Sequence, residues 1–351
     1  MTVIWTNELL KYNVTTRMGK SMRISKSQNN ILGGKSMNIV LLGGAGFIGT
    51  NLANKLSENQ NNYVKVVDRR KEYFATIENF NRSNITFQVA SFENNTDFDS
   101  LVKGQDVLYH LASTNIPGNS NQHVPEELDS NVIVTARLLD ACVRQKIKRV
   151  IFMSSGGTVY GKKGTYPIEE DMVTYPITSY GIQKLAIEKL LYLYRYQQGL
   201  DYRIIRLANP YGPFQRPNGK LGVVTTFIYK ALTDGRLEVY GDGEVVRDFI
   251  YIDDAIRGIL NIAEGENEVR VFNLGSGQGT SVNQVIKAIK NTIREDLVVE
   301  NIDSRSTDVP INYLNISRYE SLFGKLDPID LENGIKKTAD YFQNNKLIAI
   351  S

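Results

Sequence analysis

The chain has 351 residues, and its 41 Lys and Arg against 38 Asp and Glu leave a formal charge of +3. That excess is too slight and too evenly spread to mark a nucleic-acid or anionic-membrane binder. A single cysteine, Cys142, excludes an intrachain disulfide and any zinc knuckle, and two histidines argue against a metal site. No stretch has the unbroken apolar length of a membrane span, so a cytoplasmic setting is expected.

Residues 1–36 are rich in Asn, Ser, Lys and Thr and lack the apolar segment of a secretory signal. A disordered leader, or an upstream start outside the folded unit, is expected there. From Met37 the pattern changes. The apolar run Met37-Asn38-Ile39-Val40-Leu41-Leu42 reads as a buried strand, and it breaks into Gly43-Gly44-Ala45-Gly46-Phe47-Ile48-Gly49. An amphipathic helix over Thr50–Ser57 follows. Glycines at 43, 46 and 49 between a strand and a helix let the backbone approach a pyrophosphate at the helix N-terminus. A second strand, Val64–Val67, ends in Asp68, the distance on at which a carboxylate meets an adenosine ribose.

Further strands are expected at Ile85–Val89, Val107–Leu111, Val150–Ser154 and Arg203–Leu207, with helices at Val132–Gln145 and Ile182–Gln197 between them. Short apolar strands alternating with helices predict an α/β fold with a doubly wound parallel sheet, of the Rossmann type. Asn209-Pro210-Tyr211-Gly212-Pro213 is turn chemistry. The helices after it, near Val224–Thr233, Asp254–Ala263 and Val282–Ile293, are expected to form a smaller α/β domain over the C-terminal edge of the sheet. The boundaries are 37–208 for the dinucleotide-binding domain and 209–346 for the substrate domain, some segments of which return to the first.

Tyr180 and Lys184 are spaced i, i+4, which puts phenol and ammonium one turn apart on one helix face. An ammonium beside a phenol favours the phenolate, making it a usable general base. The preceding strand ends in Ser154-Ser155-Gly156-Gly157-Thr158-Val159-Tyr160-Gly161, a source of further hydroxyls.

These motifs, in this order, resemble the extended short-chain dehydrogenase/reductases, specifically the nucleotide-sugar epimerase/dehydratase group typified by UDP-glucose 4-epimerase. The resemblance also runs through Leu111-Ala112, Asn131-Val132, Gly241-Asp242-Gly243, Arg247-Asp248-Phe249, Tyr251-Ile252-Asp253-Asp254 and Asn273-Leu274-Gly275. It implies NAD as cofactor, a UDP-sugar as substrate, and a homodimer paired through the long helices after Asn131 and at Tyr180. Tyr180 is implied as the acid/base and Lys184 as its partner and a ribose ligand. Gly43, Gly46, Phe47, Ile48, Gly49 and Asp68 are implied as the cofactor's main grip. Leu111, Ala112, Ser113, Asn131 and Ser154 are implied along its path. Asn209, Val224, Tyr240, Arg247, Arg305 and Asp308 are implied for the nucleotide sugar.

Two positions depart from the pattern. The group's catalytic Ser or Thr falls at Gly156, so the role passes to Thr158 or, second, to Ser155. Gly156 is expected to open space beside the sugar. The acidic residue that usually meets the adenine is replaced by Ser91, with Phe92 beside it. Gly157 and Thr158 stand where dehydratases and decarboxylases of the group carry carboxylates. The resemblance therefore implies 4-epimerisation of a UDP-sugar through a 4-keto intermediate, with NAD(P)H-dependent reduction of a 4-keto nucleotide sugar as the alternative.

Overall fold

The computed structural model describes residues 36–345, apart from 116–117, 119, 163, 218–221 and 305–308. The leader expected at residues 1–36 lies outside the described residues except for Ser36, and so do Arg305 and Asp308. In chain order the first half runs β1 (Met37–Leu42), α1 (Phe47–Leu56), β2 (Asn62–Asp68), α2 (Ala75–Glu78), β3 (Ile85–Val89), α3 (Phe98–Val102) and β4 (Val107–His110). It continues with α4 (Val124–Leu128), α5 (Val134–Arg144), β5 (Arg149–Ser155), α6 (Ser179–Gln198) and β6 (Asp201–Leu207). The second half adds β7 (Asn209–Tyr211), α7 (Val223–Leu232), β8 (Arg236–Tyr240), β9 (Val246–Arg247), β10 (Phe249–Tyr251) and α8 (Ile252–Glu264). Then come β11 (Val271–Leu274), β12 (Thr280–Ser281), α9 (Val282–Thr292), β13 (Val298–Ile302), β14 (Ile311–Asn312), α10 (Ser317–Phe323) and α11 (Leu331–Asn344).

Seven strands form one sheet in the order β11-β6-β5-β4-β1-β2-β3, and every neighbouring pair is parallel. The chain order reverses between β1 and β4, which opens a crevice at the strands' C-terminal ends, where open α/β sheets take their ligands. Strand periodicity explains the two buried faces. In β1, Ile39 and Leu41 join one core cluster while Val40 and Leu42 join the other. The same alternation sends Ile151 and Met153 of β5 to the first face and Val150 and Phe152 to the second. Apolar residues of α1 and α8 pack in the first cluster, and those of α3, α5 and α6 in the second.

The expected Val132 start of the fifth helix is corrected. The turn from Asp129 to Ile133 is π-helical and joins α4 to α5 into one run from Val124 to Arg144. Such a turn inserts one residue into the helical ladder and is frequent at functional sites. Among the elements not expected as such are β11, which closes the sheet beside β6, and α11, whose Ile335, Ala339 and Phe342 pack in the first core cluster.

Candidate active site

At the crevice the glycine turn is held by close packing. A Cβ on Gly43, whose φ is +77°, would lie 2.8 Å from the Cα of Ala112, and one on Gly49 would lie 2.5 Å from the Gly44 carbonyl oxygen. Gly46 differs, because a Cβ there would meet only the Gly43 carbonyl oxygen, at 3.4 Å. Gly46 also caps α1 in an extended conformation with no side-chain cap. Its missing side chain therefore leaves the α1 N-terminus open to the cleft, which suits a bound pyrophosphate. Asp68 accepts hydrogen bonds from the backbone N–H of Ala45 (3.0 Å) and of Arg69 (2.8 Å), so the carboxylate braces the turn from the second strand.

The cleft encloses about 1610 Å³, and its wall takes in the turn, Asp68, the strand ends and parts of α6 and α7. Single ligand pockets run to about 1,000 Å³, so this volume suits two ligands side by side. Gly43, Gly46, Phe47, Ile48, Gly49 and Asp68 all line it. Ser91, Phe92, Leu111, Ala112, Ser113 and Ser154 line it as well. Asn131 does not. It is buried behind the wall, where its Oδ1 accepts from the Thr114 N–H (3.0 Å) and its Nδ2 donates to the Glu127 carbonyl (3.0 Å). The side chain of Asn131 thus ties the π-helical turn to the loop after β4, and its neighbours Thr114 and Ser130 reach the cleft instead.

The end of the cleft that carries Tyr180 and Lys184 is built on α6. Thr178 caps this helix by accepting from the Gly181 N–H (3.1 Å), which sets Tyr180 in the first turn. Tyr180 and Lys184 both line the cleft. The Lys184 ammonium donates to the Met153 carbonyl (2.8 Å) and sits 5.4 Å from the centre of the Tyr180 ring and 4.8 Å from that of Phe152. Burial pushes the Lys184 pKa down to about 8, against an upward pull from Glu188. The expectation that Lys184 lowers the Tyr180 pKa is not met: burial pushes the phenol up to about 12. The ammonium is aimed at a backbone carbonyl and the phenolate would lose hydration, so desolvation wins.

One turn beyond Lys184, Glu188 forms a buried network that spacing alone did not suggest. It accepts from the Ser154 hydroxyl (2.5 Å) and from Arg206 through both Nε (3.0 Å) and Nη2 (2.7 Å). Arg206 also donates to the Tyr160 hydroxyl (2.9 Å), which donates to the Asn273 side chain (2.6 Å). The ends of β5, β6 and β11 are cross-linked by these contacts directly behind Tyr180 and Lys184.

The strand-end hydroxyls rearrange the expected order. Ser155 lines the cleft, whereas Thr158 does not, and the Thr158 Oγ1 is buried without a hydrogen-bond partner. The reading of Gly156 is corrected too. A Cβ there would lie 2.6 Å from the Leu314 Cδ1 and 3.0 Å from the Arg206 carbonyl oxygen, so the position faces the core. Open space lies at Gly157, where the nearest atom to a Cβ would be the Ser155 Oγ at 3.9 Å.

On the opposite wall stand Asn209, Val224, Tyr240 and Arg247. Arg247 donates through Nη1 to the carbonyls of Val246 (2.9 Å) and Val309 (2.6 Å), which fixes its guanidinium at the cleft. Asn209 donates its amide to the Asp248 carbonyl (2.9 Å). Sequence reasoning missed Tyr73 and Phe214, which also line the cleft, as do Arg69 and Arg216; no periodic signal pointed to the two aromatic residues.

Comparison with known proteins agrees with this architecture. Residues 39–275 match the family model for the NAD dependent epimerase/dehydratase family. A putative UDP-glucose 4-epimerase of Methanocaldococcus jannaschii is 34% identical over 316 residues, covering 88% of this chain and 99% of the relative. The UDP-glucose 4-epimerase of Thermotoga maritima, solved with UDP-glucose, superposes with a TM-score of 0.80 at 33% identity, covering 88% of this chain and all of the other. The UDP-glucuronic acid 4-epimerase of Bacillus cereus, solved with UDP-glucuronic acid and NAD, gives a TM-score of 0.80 at 27% identity, again covering 88% of this chain and 100% of the other.

Proposed function

Because the chain belongs to the NAD-dependent epimerase/dehydratase family, we propose that it inverts the C4 hydroxyl of a UDP-sugar of the glucose/galactose type. The observation that carries this reading is the chemistry of the strand end. Tyr180, Lys184, Ser154 and Ser155 meet at the cleft, and Gly157 and Thr158 contribute no carboxylate there. Glu188, the carboxylate behind them, is locked against Arg206 at 2.7 Å. Elimination or decarboxylation needs a second acid/base on the sugar, so redox chemistry at one carbon is what remains.

NAD, when bound, takes the C4 hydride and returns it. The protein's own part is to move one proton and to hold one end of the substrate. Tyr180 removes the proton of the 4-hydroxyl and gives it back after the 4-keto sugar has turned over. Lys184 supplies a positive charge one helical turn away, and Ser155 a hydroxyl that hydrogen-bonds the reacting oxygen. The Arg247 fork holds the diphosphate, as does Arg305 within this proposal, while Asp308 helps to hold the nucleotide ribose. Firm binding of the nucleotide and loose binding of the sugar let both faces of C4 be presented in turn, for which the cleft has room.

The proposal includes a homodimer. Ile182, Leu193 and Tyr196 are 46%, 42% and 81% exposed at i, i+11 and i+14 on α6, a face that also carries exposed Lys189 at i+7 and that a second copy of the helix would cover. Among the described residues no helix is long and apolar enough to cross a membrane, and a cytoplasmic location is part of the proposal.

The test is incubation of the purified protein with UDP-galactose and no added cofactor. UDP-glucose should form with no net change in absorbance at 340 nm. Absence of turnover on UDP-galactose, UDP-N-acetylglucosamine and UDP-glucuronic acid would overturn the reading. Stoichiometric consumption of NAD(P)H on a 4-keto nucleotide sugar would replace it with the reductase.

A further inference from the structure

The segment 212–217, between β7 and α7, crosses from the substrate wall to the Asp68 side of the cleft. It is fastened at several points. The Pro213 carbonyl accepts from Asn51 of α1 (3.1 Å), whose amide also donates to the Phe47 carbonyl in the first turn of that helix (2.9 Å). The Phe214 ring meets Phe80 edge-on at 5.8 Å and Tyr341 of α11 at 5.1 Å. Gln215 donates to the Pro210 carbonyl (3.3 Å) and accepts from Thr225. Beyond it, the Arg216 guanidinium lies 4.9 Å from the centre of the Tyr73 ring, in the loop after β2.

Phe214 has a φ of +69°. A bulky residue holds a left-handed backbone only where its surroundings over-determine it, and such strain gathers at ligand clamps. Phe214, Gln215, Arg216 and Pro217 face the cleft, and Tyr73 and Arg69 face it from the other side. Arg69 and Arg70 approach the same Tyr73 ring, at 5.9 and 6.0 Å. Three cations around one ring make this rim favourable to an anionic occupant.

We infer that the segment 212–217 is a strap retaining the dinucleotide on the glycine turn, and that the stacking of Arg216 on Tyr73 is its clasp. A cofactor lying from the α1 N-terminus to Asp68 is beneath this segment, so its release requires the clasp to part. The inference deepens the proposed reaction, in which one cofactor serves many turnovers. Its readout is cofactor release, and is independent of turnover.

The experiment loads the full chain with NAD and measures its displacement by excess fluorescent etheno-NAD. Arg216→Ala and Tyr73→Ala should each speed release about two- to fivefold, the range for an exposed cation–π contact. The double variant should release no faster than Tyr73→Ala alone, because that change already removes the Arg216 contact together with those of Arg69 and Arg70. Tyr73→Phe keeps the ring and should release at the wild-type rate. Wild-type release in both alanine variants, or effects that multiply in the double variant, would overturn the inference. So would acceleration that merely tracks a fall in melting temperature. If release depends on the clasp while no UDP-sugar is epimerised, the strap stands and the proposed reaction falls.

Discussion

Lys184 combines a charge with 5% exposure, and its pKa falls from the ordinary 10.5 to about 8. The sign of the linkage follows directly. Between pH 8 and 10.5 the unfolded chain holds this proton and the folded chain does not, so the folded state gains stability as pH rises through that window. Below pH 8 the full penalty applies. A shift of that size corresponds to about 3 kcal/mol. Lys184→Met keeps the length of the side chain and removes the charge, leaving the Met153 carbonyl without its donor at a cost of about 1 kcal/mol. At pH 7 the variant should therefore be more stable than wild type by about 2 kcal/mol, and nearly inactive. Urea unfolding at pH 7 and pH 9.5, followed by circular dichroism, reads the difference. At pH 9.5 most of the penalty is gone, and the gain should shrink to well under about 1 kcal/mol. A destabilised variant at pH 7, or a gain that does not change with pH, would refute the reasoning.

Tyr180→Phe should lower kcat by about 10²–10⁴-fold, the usual worth of a positioned acid/base, while bound NAD measured after denaturation stays at the wild-type level. Gly156→Ser tests the direction of that position. Because its Cβ would press on Leu314, the variant should lose about 1–3 kcal/mol in denaturant unfolding without gaining activity. Gly156→Ser combined with Leu314→Ala should cost less than the sum of the two single losses, whereas a rise in activity of the single variant would put the hydroxyl back in the cleft. Glu188→Gln should cost about 3–5 kcal/mol, since Arg206 keeps its charge in a buried site without its partner. A loss under about 1 kcal/mol in thermal or urea unfolding would mean that Arg206 finds another partner.

The elements that could be read from the chain are those governed by short-range periods. Alternation in β1 and the i, i+4 spacing of Tyr180 and Lys184 survive folding unchanged, because a strand or helix carries its own geometry. The glycine turn was legible for the same reason: four side chains are missing within seven residues between a strand and a helix, and that spacing serves close backbone approach. What escaped depends on contacts between distant residues. Ser154, Glu188 and Arg206 lie in three elements, and nothing in their local sequence says that one carboxylate will receive both donors. Tyr73 and Arg216 are further apart still. Gly156 was misread because the strand ends at Ser155, and beyond that residue alternation no longer tells which way a Cβ points. Asn131 was assigned to the cofactor, but its amide is consumed in holding the π-helical turn to the loop after β4.

The placement of β11 bears on how this enzyme could open. The chain leaves the sheet after β6, builds β7 through β10 at the crevice, packs α8 against the sheet, and then returns to pair β11 with β6 along four residues. α8 buries its apolar face in the same core cluster as α1. The two walls of the cleft are thus interlaced through a shared sheet and core, and cutting the chain after residue 208 would strip β6 of its neighbour and leave a bare strand edge. Parting the walls as hinged bodies would mean unzipping that strand. The cheaper motion is local, confined to crossing loops, so ligand exchange and substrate range can change there while the sheet that aligns Tyr180 and Lys184 stays fixed.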